Sequence, residues 1–322
     1  MKGRILITGV AGFLGSHLAE ELLLRDYKVV GIDNFSTGKE KNLKKLKQSK
    51  NFTFIEADVS SNYFMALQNQ LEDIDEIYHL ASPASPAYYL KKPIDTIDAN
   101  TLGTKNVLDL AQKNNAKVVY ASTSEAYGDP LIHPQSEKYR GNVNTWGPRA
   151  CYDESKRLGE VYCYLYYSLF NTKVKVARIF NTYSAGLAND DGRVISNFVN
   201  QALLNEDITV YGDGTQTRSF CYVTDTIRGL ILMMEKESAN GQIINIGNPK
   251  EYTILEMANL VKKLSNSKSR ITFHPLPIDD PKQRKPDISK ARKLLGWTPQ
   301  VDVVDGLNKT ITNYKNQIDS KE

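Results

Sequence analysis

Seven residues near the start of the chain, GVAGFLG from Gly9 to Gly15, separate the apolar run RILIT from SHLAEELLLRD. The run reads as a buried strand. The segment after the glycines has apolar residues three and four apart, the spacing of a helix packed on one face. Glycine permits a tight turn and lets strand, loop and helix backbones approach closely. A strand, a glycine turn and a helix in this order start a βαβ unit. Such units cross over right-handedly and build parallel sheets with helices on both faces.

The first half of the chain repeats this alternation. KVVGID, NFTFIEADV, DEIYHLAS, KVVYAST and VKVARIFN read as further strands, with a long helix through Glu154–Phe170 before the last of them. The expected fold class is α/β, a Rossmann-type doubly wound parallel sheet. After Asn181 the rhythm breaks into Gly- and Asp-rich turns, a helix near 195–204, a strand ITVYG, a helical YVTDTIRGLILMM, a strand QIINIGN and an amphipathic TILEMANLVKKL. A smaller C-terminal α/β lobe is expected there. Residues 1–180, with a return near 222–248, would form the nucleotide-binding domain, and 181–322 mainly a substrate lobe.

Composition narrows the function classes. The 322 residues are 41% hydrophobic and 24% charged, enough apolar material for a large core. The formal net charge is +4, and no dense basic run with interleaved aromatics occurs, so nucleic acid is not an expected partner. No segment reaches membrane-spanning length, and no membrane association is expected. The three cysteines, Cys151, Cys163 and Cys221, have no zinc-ligand spacing, and their odd number argues against a disulfide framework. No metal site and a reducing, cytoplasmic setting are expected.

The glycine turn suits a dinucleotide. Gly9, Gly12 and Gly15 let backbone N–H groups approach a pyrophosphate, and the N-terminus of the following helix favours negative charge. Asp33 ends the second strand, where a carboxylate accepts hydrogen bonds from a ribose diol and repels a 2′-phosphate, which favours NAD over NADP. Phe13 and Leu14 in the turn, Asn34 beside Asp33, and Leu80 and Ala81 after the fourth strand are assigned to the same site. Asp58, with Val59 next to it, ends the third strand. Its carboxylate suits an adenine contact and equally a helix N-cap.

Tyr152 and Lys156 in CYDESKR are four apart and share a helix face. An ammonium group beside a phenol stabilises the phenolate. Tyr152 could then take a proton from a sugar hydroxyl while hydride passes from the adjacent carbon to NAD.

The glycine spacing, the hydroxyl-rich strand end AST and YxxxK together resemble the extended short-chain dehydrogenase/reductases, the NAD-dependent epimerase/dehydratase group that modifies nucleotide sugars. The resemblance covers nearly the whole chain. It implies that Thr123 hydrogen-bonds the reacting sugar oxygen beside Tyr152, and that Tyr152 and Lys156 also contact the cofactor. Thr123-Ser124-Glu125 differs from the Thr-Asp-Glu of 4,6-dehydratases and resembles the UDP-glucuronate decarboxylase (UDP-xylose synthase) group. HLASPASPAYY, NVNTWGPRACYDESKR, DGRVISNF, VYGDGTQTRSFCYV and DDPKQRKPDISKAR are similar to that group too. By that resemblance Asn181, Arg218 and Arg284 serve the diphosphate, Tyr211 lies near uracil, and Ser85, Tyr88, Thr123 and Arg193 belong to the substrate site. Arg193 could contact the cofactor or close the site, and Arg284 could also reach the sugar. The chain departs from the group at Ser184-Ala185-Gly186, where Gly-Pro-Arg is usual, and at Thr145-Trp146, where Pro-Ile is commoner.

The expected reaction is NAD-dependent decarboxylation of UDP-glucuronate to UDP-xylose through a 4-keto intermediate. Ser124 and Glu125 would act at the C5–C6 side, with Glu125 orienting water or relaying the proton. The alternatives are 4-epimerisation, an N-acetylated uronate as substrate, and a catalytically silent NAD or nucleotide-sugar binding protein. A homodimer through helices near 101–113 and 154–170 is expected by resemblance, with YCYLYYSLF serving either core or interface. Animal relatives carry an N-terminal membrane anchor; a soluble form is expected here.

Overall fold

A computed structural model describes residues 2–67, 70–185 and 192–319. Gly186 of the Ser184–Gly186 departure lies outside them.

Seven strands form one all-parallel sheet. They are β1 (Arg4–Thr8), β2 (Lys28–Asp33), β3 (Phe52–Glu56), β4 (Glu76–His79), β5 (Lys117–Thr123), β6 (Val174–Ile179) and, from far along the chain, β11 (Ile243–Ile246). Their order is β11-β6-β5-β4-β1-β2-β3. Central strands such as β5 are buried along nearly their whole length, because helices cover both sides. Side chains alternate between the faces: Ile5 and Ile7 join Val29, Tyr78 and Val119 on one, and Leu6 joins Val30, Ile77 and Val118 on the other.

The first face is covered by α1 (Phe13–Leu24) and α8 (Val223–Glu235), the second by α2 (Asn62–Leu67), α5 (Leu102–Asn114) and α6 (Ala150–Phe170). Both α5 and α6 end on asparagines in the left-handed conformation, Asn115 and Asn171, a residue type that tolerates it. Two shorter helices, α3 (Pro86–Tyr89) and α4 (Pro93–Asn100), each begin with proline, which suits a first helical turn. Helix α6 starts four residues before the expected Glu154, so Tyr152 is on the helix proper.

The strand order reverses at β1, which pairs β2 on one side and β4 on the other. Ligands of doubly wound sheets bind in the crevice beyond the carboxyl ends of the strands at this point.

The remaining elements come from the second half of the chain. They are β7 (Thr182–Tyr183), α7 (Val194–Leu203), β8 (Ile208–Tyr211), β9 (Thr217–Ser219), β10 (Cys221–Tyr222), β12 (Glu251–Thr253), α9 (Ile254–Leu264), β13 (Ile271–His274), α10 (Ser289–Leu295) and α11 (Val303–Asp319). Among them β7, α7, β8, β9 and α9 contribute residues to the crevice. The pairs β8 with β13, β9 with β12, and β7 with β10 form small two-stranded sheets. A capping box, Thr253 with Glu256, starts α9. One apolar cluster joins Leu18 and Leu22 of α1, Ile231 and Met234 of α8, Phe198 of α7, Met257 of α9 and Leu307 of α11. The core on that face of the sheet therefore continues into the second half of the chain.

Candidate active site

Two adjoining cavities open at the carboxyl ends of the strands, of about 700 Å³ and about 60 Å³. Gly9, Gly12 and Leu80 line both. The larger is also lined by Phe13, Leu14, Gly15, Ser85, Tyr88, Thr123, Ser124, Glu125, Tyr152, Lys156, Asn181, Arg193, Tyr211, Arg218 and Arg284. Asp33, Asn34, Asp58, Val59 and Ala81 line the smaller. The residues singled out in the sequence thus converge on one connected space.

The glycine turn has the shape a pyrophosphate needs. Gly9 adopts φ +76°, and a Cβ there would lie 2.8 Å from the Ala81 nitrogen. A Cβ on Gly15 would meet the Gly9 carbonyl oxygen at 2.1 Å, so helix and loop can pack this closely only around glycine. Gly12, the N-cap of α1, supplies no capping side chain, and the first turn holds no acid. The N–H groups of that turn have no intrahelical acceptors. The donors and the dipole end therefore fit the diphosphate of a dinucleotide.

Asp33 is buried, and burial raises its carboxyl although backbone hydrogen bonds oppose this. It accepts from the Ala11 N–H at 2.9 Å and the Phe35 N–H at 2.8 Å. A carboxylate has about four acceptor positions, which leaves room for ribose hydroxyls. Asp58 accepts from the Asn34 amide at 2.7 Å and from the Ser60 N–H at 2.8 Å. It does not cap α2; the hydroxyl of Ser61 accepts from the Phe64 N–H there.

Tyr152 and Lys156 project from α6 into the larger cavity, as their spacing requires. Their electrostatics differ from the sequence expectation. The Lys156 ammonium donates to the Ala121 carbonyl at 2.8 Å and sits 5.1 Å from the Tyr120 ring centre. Burial pushes it down to about 7. Burial likewise pushes the Tyr152 phenol up, against the smaller downward pulls of the Thr123 hydroxyl and the Arg193 charge. The chain by itself therefore holds Tyr152 protonated, with Thr123 and Arg193 opposing the effect of burial. Tyr89 stacks on Tyr152.

Glu125 stands in a single 3-10 turn, Ser124–Tyr127, directly after β5. The Thr123 hydroxyl accepts from the Glu125 N–H at 3.1 Å and fixes the start of that turn. Two guanidinium groups, of Arg149 and Arg284, donate to opposite oxygens of the Glu125 carboxylate. Burial alone would raise this carboxyl, but Arg284, Arg149 and Arg218 outweigh it and hold it down at about 2. Glu125 is thus ionised at neutral pH and has no proton to give. Arg284 also donates to the Gly128 carbonyl at 2.9 Å. The strand-like QRKPD segment is held in place by backbone bonds between Gln135 and Lys285 at 2.9 Å and Asp287 and Gln135 at 2.8 Å.

Arg218 on β9 donates to Asp280 at 2.9 Å and to its neighbour's carbonyl, that of Thr217. Tyr211, at the end of β8, is partly exposed at the rim. Sequence reasoning missed Arg149, Tyr89, Asp153 and Asp280. All four sit inside the motifs HLASPASPAYY, GPRACYDESKR and DDPKQRKPD, so their positions were visible although their roles were not. It also missed the support below the site. Ser122 donates to Glu160 at 2.5 Å, and Arg178 binds the same carboxylate with two nitrogens, at 2.8 and 2.6 Å. This buried pair anchors the end of β5 to α6 and β6. Among the described residues no cluster of three metal-ligating side chains occurs.

The chain is similar to known proteins along almost all its length. UDP-glucuronic acid decarboxylase 1 of Danio rerio is 49% identical over 99% of this chain and 74% of its own. UDP-glucuronic acid decarboxylase 3 of Arabidopsis thaliana is 49% identical over 94% of this chain and 86% of its own. Among solved structures, UDP-glucuronic acid 4-epimerase of Bacillus cereus in complex with UDP-glucuronic acid and NAD superimposes with TM-score 0.87 at 32% identity, covering 98% of this chain and 99% of that one. UDP-glucose 4-epimerase of Thermotoga maritima with UDP-glucose gives 0.90 at 28% identity over 98% and 99%. Residues 5–247 match the NAD dependent epimerase/dehydratase family, and the chain belongs to that family.

Proposed function

We infer that the protein is an NAD-dependent UDP-glucuronate decarboxylase that releases CO2 and UDP-xylose. The observation that carries this reading is Glu125, an ionised carboxylate clamped by Arg149 and Arg284, in the same cavity as Thr123, Tyr152 and Lys156. The activity of the relatives at 49% identity supports it.

In this reading, 1–180 with the return at 222–248 carries NAD, and the rest mainly carries the nucleotide sugar. Gly9, Gly12, Gly15 and Asp33 would hold NAD, which would supply reversible hydride acceptance at C4, so there is no net redox change. Tyr152 takes the C4 hydroxyl proton, with Thr123 donating to the same oxygen and Lys156 adding positive charge below. The 4-ketone makes the uronate a β-keto acid, and the electrons of the C5–C6 bond pass toward the C4 oxygen as CO2 departs. Tyr152 and Thr123 hold that oxygen while C5 gains a proton. Glu125, being ionised, accepts hydrogen bonds and orients the proton-carrying water; its charge opposes retention of the sugar carboxylate. Arg218 and Asn181 serve the diphosphate, and Tyr211 the uracil.

Leu158, Val161, Leu165 and Leu169 form an exposed apolar stripe on α6, while Cys163 and Tyr166 of the same helix are buried. We assign that stripe and Leu102 of α5 to a homodimer interface, which light scattering can test. No described helix is long and apolar enough to cross a membrane. The three cysteines are free, which supports a cytoplasmic location.

A proton NMR time course with UDP-glucuronate and NAD tests the reading. A UDP-pentose with CO2 is expected. UDP-galacturonate without CO2 would make the protein an epimerase, and no turnover would direct attention to an N-acetylated uronate.

A further inference from the structure

Arg149 lies just before α6, lines the cavity, and is contacted by three carboxylates. It donates to Glu125, its Nε lies 3.9 Å from Asp153, and its Nη1 lies 3.8 Å from Asp280. Asp280 in turn accepts from Arg218. Arg284 approaches Glu125 from the opposite side, on a different loop. One guanidinium therefore joins the turn after β5, the start of α6 and the loop that faces the nucleotide end.

We propose that Arg149 is a positioning residue for CO2 release: its guanidinium, opposite Arg284, fixes the orientation of the Glu125 carboxylate and links it through Asp280 to the arginine that serves the nucleotide. The proposal rests on the decarboxylase reading above. The geometry distinguishes the two arginines. Arg284 is also held by the Gly128 carbonyl, so it keeps its place without Glu125. Glu125, by contrast, receives one guanidinium on each oxygen, and with Arg149 gone one oxygen loses its charged partner. A carboxylate held at both oxygens has one orientation; held at one, it can rotate and lets water in. A fixed Glu125 matters most after C4 has been oxidised, so the second half of the reaction depends on Arg149 far more than the first, where Glu125 acts only through its charge on Tyr152.

The charged and titratable groups facing Glu125 are Arg149, Asp153 and Tyr152 from α6 and its approach, Tyr89 from α3, Arg218 from β9, and Asp280 and Arg284 from the loop before α10. Asp153 responds to Arg149 as well, so the test is made with Asp153 already replaced by asparagine.

The experiment compares Arg149 with Arg149→Gln and Arg149→Lys, each in the Asp153→Asn protein with NAD and UDP-glucuronate. It follows nicotinamide absorbance for the first half-reaction, CO2 for the second, and kcat against pH. For Arg149→Gln the expected result is a kcat for CO2 roughly 100-fold lower with KM within about 3-fold, and nicotinamide reduction preserved. Its acid limb should move up by about 1 to 3 pH units, because a carboxylate that loses a cationic neighbour binds protons more readily. Arg149→Lys should recover part of the rate and move the limb back. If the glutamine variant does not fold, the lysine variant gives the same pH comparison against the parent. An unmoved acid limb, or a loss confined to KM, overturns the proposal while leaving the decarboxylase reading intact. A parent protein that makes no UDP-xylose from UDP-glucuronate overturns both.

Discussion

The rings of Tyr89 and Tyr152 lie stacked, with centroids 5.0 Å apart and planes 5° from parallel. The short helix α3 thereby braces the Tyr152 phenol through its ring face. The Tyr89 hydroxyl is buried and has no hydrogen-bond partner among the described residues. Tyr89→Phe keeps the stack and removes an uncompensated polar group. Stability should rise by about 1 kcal/mol, with kcat/KM unchanged within about 2-fold. Tyr89→Ala should lower kcat roughly 10- to 100-fold, because Tyr152 loses its brace. Thermal melts and steady-state rates of the two variants check this; a destabilised Phe variant would show that the hydroxyl has a partner.

Glu125→Gln keeps the shape of the clamped side chain and removes its charge. CO2 release should fall about 100-fold or more, while nicotinamide reduction by UDP-glucuronate persists and accumulates. Stability should respond to acid as well. The Glu125 carboxyl is held at about 2 against an ordinary 4.5. A depressed carboxyl stabilises the fold above its unfolded value, and that contribution is lost as pH falls through the folded one. The wild type should therefore lose stability relative to Glu125→Gln as pH drops from about 4.5 toward about 2, readable in urea midpoints.

Asp153 has the opposite sign. Burial, then the Glu125 charge, push its carboxyl up from 3.8 to about 8, against the pull of Arg149. A raised carboxyl contributes stability that is present below the unfolded value and lost as pH rises through the folded one. The wild-type Tm should fall between about pH 4 and pH 8 by more than that of Asp153→Asn, with the asparagine protein equal or better at the alkaline end. Melting curves across that range decide it.

Gly15→Ala places a methyl group 2.1 Å from the Gly9 carbonyl oxygen. The helix must move off the loop to admit it. NAD affinity should fall at least 10-fold, with a loss of stability of about 1 to 3 kcal/mol. Gly12→Ala has a nearest neighbour at 3.1 Å and should cost less stability for a comparable loss of NAD binding. Calorimetric titration with NAD and thermal melts compare the two.

Much of this architecture was legible along the chain because it is written in short-range patterns. The central strands are continuous β-branched runs between polar breaks, and Tyr152 and Lys156 reveal their common face by spacing alone. The two- and three-residue strands β7, β9, β10 and β12 are too short to show any period, and only their partners define them. Helix α6 begins at Ala150 and not at Glu154, and no local pattern marks that start because Cys151, Tyr152 and Asp153 carry weak helical preference. The clamp on Glu125 was illegible for a different reason. Arg284 lies 159 residues away from it and Arg149 lies 24, and no local pattern records such a meeting. Likewise, Lys156 could be assigned to Tyr152 by spacing, yet its ammonium is engaged by the Ala121 carbonyl, which only the fold reveals.

The apolar layer shared by α1, α8, α7, α9 and α11 gives the molecule no seam. A chain cut near residue 180 would leave Leu18, Leu22 and Val29 facing water, and the remainder would lose the platform on which Phe198 and Met257 rest. Neither half can be borrowed as a module, and heating should dissolve both in a single cooperative step. The first 180 residues and the remainder are inherited as one piece.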